Sequence, residues 1–147
     1  MTSRKPPSDT VIHSLGSTWS QLDLGEAFDV DTLAMLSDLD PTGARGVVSE
    51  VLTLLDVSLE PMLERLERFR NAGAIADIRF EAHKMKSAAA QLGALRLAAA
   101  CSDVLKRIAA GPPFREDLRG GDLAALLDAV VTETIRVQRQ LRRLLGR

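Results

Sequence analysis

Apolar residues recur along most of this chain at the spacing of amphipathic helices. In the longest series, steps of four and three residues place every apolar position on one side of a helix. The series consists of Val48, Leu52, Leu55, Leu59, Met62, Leu66 and Phe69. It predicts a long helix from Asp40-Pro41 to Arg70, with Asp40 as the cap and Pro61 kinking or loosening the middle.

The same spacing predicts three further long helices and one short helix. A short helix is expected over 31–38, with Asp31 as its N-cap. The long segments are 75–92 before Gly93, 94–108 before Gly111-Pro112-Pro113, and 122–144 with Asp122 as its cap. Long amphipathic helices with short connections predict an all-α protein, an antiparallel four-helix bundle with a short extra N-terminal helix.

Composition and charge narrow the class of protein. The 147 residues are 46% hydrophobic but only 3% aromatic, which is typical of helices, and the length suits one domain. Residues 1–26 are predicted to form a flexible tail, and 27–147 the bundle domain. A formal charge of -1 gives no basic field for nucleic acid, and the single Cys101 excludes an internal disulfide. With no apolar run long enough for a membrane span and no signal peptide, we expect a cytoplasmic protein.

The candidate chemistry lies around His83. Its position is rotated about 100° from the buried line of its helix, so the imidazole lies at or beyond the edge of the apolar face. The helical spacing gives it Arg79, Lys86, Ser87 and Ala90 as neighbours, none of them a large hydrophobic residue. A partner protein could reach such a histidine, and the nearby lysines could contact phosphate oxygens.

This segment resembles the helical motif His-x-x-Lys-Gly/Ser-x-x-x-x-x-Gly of histidine-containing phosphotransfer (HPt) domains. His83, Lys86, Ser87 and Gly93 match it, and the helix order is similar from about Asp31 to Leu145. The resemblance implies that His83 is the phosphoacceptor and that Lys86, together with Lys84, interacts with the phosphoryl group. It also implies partner contacts, which we assign to Arg79, Ser87, Ala90 and Gly93.

One position departs from the family pattern. Many members carry Gln or Glu twenty-two residues after the histidine, where the side chain can orient the imidazole. This chain has Leu105 there, which puts that hydrogen bond in doubt, and Asp103 is the substitute we consider.

The resemblance further implies a two-component signalling protein without autonomous kinase activity. His83 would accept a phosphoryl group from the phospho-aspartate of a hybrid histidine kinase receiver domain and pass it to a response regulator. We expect no intrinsic cofactor, because the partner receiver supplies Mg²⁺. A monomer is expected, with no nucleic-acid or membrane partner.

Four other interpretations are weaker or remain open. A sensor-kinase dimerisation domain usually has acidic residues directly after its histidine, whereas Lys84 follows here. A metal-binding bundle needs repeated Glu-x-x-His pairs, but His13 and His83 are the only histidines. A Cys101–His83 pair conflicts with the inner-stripe position of Cys101. The alternative that remains is a non-catalytic helical adaptor, supported by the arginine-rich end of the last helix and expected to tolerate His83→Gln.

Overall fold

The computed structural model describes residues 27–40, 42–43, 46–114, 118 and 120–146. These residues form five helices and no strand. The helices are α1 (Val30–Ser37), α2 (Val47–Asn71), α3 (Ile75–Gln91), α4 (Leu95–Ala109) and α5 (Asp122–Leu144). The predicted tail, 1–26, lies outside the described residues.

The four long helices form a closed ring around one apolar core. α2 packs against α3, α3 against α4, α4 against α5, and α5 against α2, while α1 packs on α2. Leucines that are completely buried, such as Leu52, Leu59 and Leu127, fill the centre. Burying each such side chain contributes about 1.5–3 kcal/mol, so the helices are held mainly by this shared core. The chain is therefore an all-helical bundle with a short extra helix, as its hydrophobic pattern predicted.

The first helix starts earlier than its sequence suggested. The N-cap is Asp29 and not Asp31, because the Asp29 carboxylate accepts hydrogen bonds from both the backbone N–H and the hydroxyl of Thr32 (3.1 and 2.8 Å). Asp31 lies inside the first turn, where its negative charge still suits the positive end of the helix dipole.

The long helix α2 starts at Val47, six residues later than the start predicted at Pro41. Asp40 does act as a cap, but across a loop, since its Oδ2 accepts a hydrogen bond from the Val47 N–H (3.2 Å). The helix then runs through Pro61 without a break and ends at Asn71, one residue after the end predicted at Arg70. Asp122 is the first residue of α5, preceded by Gly121 at the N-cap position.

The connection between α4 and α5 is held by Arg107. Its guanidinium donates to the carbonyls of Gly111 (2.8 Å) and Pro113 (2.7 Å) and pairs with the Asp122 carboxylate (2.6 Å). The same group stacks on the Phe114 ring, 4.8 Å from its centroid. One side chain thus joins the end of α4, the following loop and the start of α5.

In the described part of the chain, no helix has the length and apolarity needed to cross a membrane.

Candidate functional site

His83 lies in the middle of α3 with its side chain exposed, as the helical spacing predicted. Within the described residues the imidazole forms no hydrogen bond or ion pair. It borders a shallow pocket of about 170 Å³ between α3 and α4, which is lined by Arg79, Phe80, His83 and Leu105. The imidazole is therefore open to a group that approaches from outside the bundle.

The walls of this pocket include two apolar residues. Phe80, one turn before His83, is 65% exposed, and sequence reasoning missed it when it found no large hydrophobic neighbour of the histidine. Leu105 is half-buried on α4 beside the imidazole, where the family resemblance implied that it would lie. A leucine can neither donate nor accept a hydrogen bond. Asp103 is exposed and forms no hydrogen bond to His83, so no described side chain orients the ring.

The cations around His83 fall into two groups. Arg79 is exposed and Lys86 half-buried, one turn before and one turn after the histidine, and neither forms an ion pair with any described residue. Lys84 differs, because its Nζ lies 3.2 Å from Glu81 Oε1 and 4.9 Å from the centroid of the Phe80 ring. Arg79 and Lys86 therefore keep their charge available at the surface, whereas that of Lys84 is already shared.

Glu81 is the buried charge beneath the site, with a side chain only 1% exposed. Both of its oxygens accept hydrogen bonds from Arg65 of α2 (2.9 and 3.1 Å), and Lys84 adds a third contact. Burial alone would raise the pKa of Glu81, but these hydrogen bonds and positive charges outweigh it and hold the pKa below its ordinary value. The carboxylate thus ties α2 to the helix that carries His83.

The residues predicted to contact a partner separate into an exposed group and a buried glycine. Ser87 and Ala90 are exposed and follow His83 along one side of α3, and Arg79 precedes His83 on the same side. Gly93 is buried in the turn after α3, so its assignment to a partner surface is corrected. Its carbonyl accepts the N–H of Asp29 (2.7 Å), and an added Cβ would lie 2.8 Å from Thr32 Cβ at a φ of +79°. Gly93 serves the packing of α1 against this turn.

Cys101 lies on the inner side of α4 and is fully buried. Burial raises the pKa of its thiol to about 12, against a smaller opposing effect of the Lys86 charge. A thiol with that pKa is not a nucleophile near neutral pH, which disfavours a Cys101–His83 pair. Within the described residues no three histidine, cysteine or acidic side chains come together in a way that could hold a metal ion.

Comparison with known families agrees with this geometry. The Hpt domain family model matches residues 50–135, which include all of α3 and α4 and most of α2 and α5. Because the match covers more than half of the chain, the protein belongs to the Hpt domain family. It is therefore a component of His–Asp phosphorelay signalling, in which Hpt domains interact with receiver domains. No curated protein and no solved structure matches the chain.

Proposed function

We propose that this protein is a phosphorelay intermediate that carries a phosphoryl group on His83. The observation behind this proposal is an exposed imidazole without a described partner, on the central helix of an Hpt domain. Neutral imidazole is nucleophilic near neutral pH. One ring nitrogen attacks the phosphorus of a receiver phospho-aspartate, the N–P bond forms as the O–P bond breaks, and the aspartate leaves as a carboxylate. The reverse sequence, on a second receiver, returns the phosphoryl group to an aspartate.

Charge compensation for the transferred group comes from Arg79 and Lys86 in this proposal. The transition state of phosphoryl transfer carries its charge on the equatorial oxygens, so nearby cations and in-line positioning supply most of the catalysis. Lys86 follows His83 by three residues and Arg79 precedes it by four, so both belong to the same side of α3. Lys84, which sequence reasoning placed in the same role, contributes less here because Glu81 already neutralises much of its charge.

The partners in this proposal are the receiver domains of a hybrid histidine kinase and of response regulators. Ser87 and Ala90 leave the side of α3 beyond His83 without large side chains, so a convex protein surface could approach the imidazole. The receiver brings the acidic pocket and Mg²⁺, and this chain brings the histidine and the cations. The proposal also includes that this protein is monomeric and cytoplasmic and has no kinase activity of its own.

An antiparallel order of neighbouring helices is part of the same proposal. Glu60 near the middle of α2 accepts a hydrogen bond from Gln138 (2.8 Å), while Arg70 at the end of α2 pairs with Asp128 (2.7 Å). Going from Glu60 to Arg70 in α2, the contacting partner in α5 changes from Gln138 to Asp128, which supports opposite directions for these two helices. His83 then lies near mid-height on one side of the bundle, away from both ends.

The test is transfer from a phosphorylated receiver domain in the presence of Mg²⁺. We expect the label to move onto the wild-type protein in an acid-labile, alkali-stable form, as for a phosphohistidine. His83→Gln should remove the labelling without a change in helicity, whereas His13→Gln, the matched control for the other histidine, should retain it.

A different outcome would favour the adaptor. Binding of receivers without transfer to the wild-type protein would favour the adaptor, whereas equal labelling of His83→Gln would exclude His83 as the phosphoacceptor and assign transfer to another residue. The adaptor has one specific observation in its favour, because Leu105 gives the imidazole no hydrogen-bond partner at the position beside it.

A further inference from the structure

Phe80 is the one largely exposed aromatic side chain among the described residues. The other described phenylalanines are buried or half-buried, as is usual for a side chain whose burial is strongly favourable. Phe80 precedes His83 by one helical turn and lines the same pocket, in which Leu105 of α4 is the other apolar residue. The exposed apolar surface of the site therefore lies directly beside the imidazole.

A series of contacts restrains the position of the Phe80 ring. Lys84, one turn further along α3, places its Nζ 4.9 Å from the ring centroid, which is within the range of a cation–π contact. The same Nζ lies 3.2 Å from Glu81 Oε1, and the buried Glu81 carboxylate is hydrogen bonded to Arg65 of α2. The ring is thus connected through two charged side chains to a neighbouring helix of the bundle.

Neither stability nor phosphoryl chemistry accounts for this exposed ring. A side chain that keeps 65% of its surface in water contributes little to the core, so the fold does not require an aromatic residue here. An apolar ring also cannot compensate the charge of a phosphoryl group. Restrained aromatic side chains are, in contrast, the typical anchors of protein interfaces, because they bury a large apolar area at a small cost in conformational entropy.

We propose that Phe80 is the apolar anchor for the receiver domain and that Lys84 is a positioning residue that holds its ring in place. This inference rests on the proposed function, because a receiver that reaches His83 must cover the turn of α3 that carries Phe80. The receiver contributes an apolar side chain next to its aspartate, and that side chain packs against Phe80 and Leu105. A receiver with a charged side chain at that point binds poorly, because the charge loses its hydration without gaining a partner.

The anchor acts on binding and not on the transfer step. Phe80 makes the same contact before and during phosphoryl transfer, so its removal raises the receiver concentration needed for half-maximal transfer and leaves the maximal rate unchanged. Lys86 differs, because a cation that faces the transferred group acts on the maximal rate. Phe80 therefore selects among receivers, whereas His83 and its cations carry the group.

The test measures the affinity for a receiver domain and the kinetics of transfer separately. Calorimetric titration with an unphosphorylated receiver and Mg²⁺ gives the affinity, since no group can be transferred. Phe80→Ala should weaken binding about ten- to a hundredfold, and Phe80→Leu, which stays apolar, less than about threefold. In the transfer assay, Phe80→Ala should raise the half-maximal receiver concentration by the same factor and keep the maximal rate within about twofold.

Leu54→Ala is the matched control for loss of an exposed apolar side chain. Leu54 is 60% exposed on α2 and precedes Arg65, which contacts α3, by eleven residues or about 16 Å of helix. Its truncation should change the receiver affinity less than about twofold. Unchanged affinity of Phe80→Ala, or a lower maximal rate at unchanged affinity, would overturn the anchor.

A double-mutant cycle tests the positioning role of Lys84. Lys84→Met, which keeps the length of the side chain without its charge, should weaken receiver binding about two- to threefold in the wild-type background and not at all in Phe80→Ala. An equal effect in both backgrounds would overturn the positioning role, because Lys84 would then contact the receiver itself. A wild-type protein that binds the receiver but accepts no phosphoryl group would refute the proposed function, while the titrations would still decide the role of Phe80.

Discussion

Replacing Glu81 with glutamine tests whether the buried carboxylate anchors the helix that carries His83. Glutamine keeps the shape of the side chain but removes its charge and offers one acceptor oxygen in place of two. Three contacts to Arg65 and Lys84 are weakened at once. If Glu81, Arg65 and Lys84 were all completely buried, the substitution would lower the free energy of unfolding by about 3–5 kcal/mol. Both cations are, however, about one-third exposed and can be hydrated again when the charge is gone.

We therefore expect Glu81→Gln to lower the free energy of unfolding by about 1–2 kcal/mol at pH 7. Urea unfolding followed by circular dichroism at 222 nm measures this loss as a shift in midpoint at constant slope. Glu64→Gln is the matched control, since Glu64 is exposed on α2 and pairs with no described residue. It should change the unfolding free energy by less than about 0.5 kcal/mol.

The pH dependence of the same difference provides a second check. Because the pKa of Glu81 is lowered in the folded protein, its stabilisation is complete above the unfolded pKa, near about 4.3, and is lost as pH falls through the folded value. The gap between wild type and Glu81→Gln should accordingly narrow in acid below about pH 4. Equal stability of the two proteins at pH 7, or a gap that widens in acid, would refute the reasoning.

Three other experiments test separate features. Gly93→Ala should lower the free energy of unfolding by about 2–4 kcal/mol, because the added Cβ meets Thr32 at a positive φ. Urea unfolding measures this change, and a decrease in unfolding free energy of less than about 1 kcal/mol would contradict the prediction. Cys101, with a thiol pKa of about 12, should react with Ellman's reagent at pH 8 only as fast as the protein unfolds, and rapid labelling of the folded protein would show an accessible thiol. In a timed transfer assay, Lys86→Ala should slow phosphoryl transfer about five- to twentyfold and Lys84→Ala less than about threefold. A larger effect of Lys84→Ala would show that Lys84, and not Lys86, compensates the charge of the phosphoryl group.

The spacing of apolar residues predicted most of the fold, but it did not predict where the helices start. Periodicity identified every long helix, because burial in a bundle repeats every three to four residues. The start of α2 was missed by six residues, since the N–H of Val47 is capped by Asp40 across a loop. Loop closure of that kind depends on backbone conformation, which a local pattern does not encode. The same limit explains the choice of Asp31 over Asp29 at the first helix.

At the site, spacing located His83 and its cations but missed Phe80 and Glu81. Both run against the rule that apolar residues are buried and charged ones exposed, because Phe80 is 65% exposed and Glu81 is 1% exposed. The partner that makes a buried Glu81 favourable, Arg65, lies sixteen residues earlier on another helix. A signal was nevertheless present in the sequence, since Glu81 falls next to Ala82 on the inner line of α3.

The short helix α1 and the last turns of α5 have a consequence for where this domain can be cut. Both lie outside residues 50–135, the segment that the family shares. Leu33 of α1 and Leu141 of α5 are nevertheless completely buried, and Asp29 is hydrogen bonded to the turn after α3. A fragment trimmed to the family boundaries would leave the apolar surface beneath both elements open to water. The cooperative folding unit of this chain is therefore larger than residues 50–135, the segment that matches the family model.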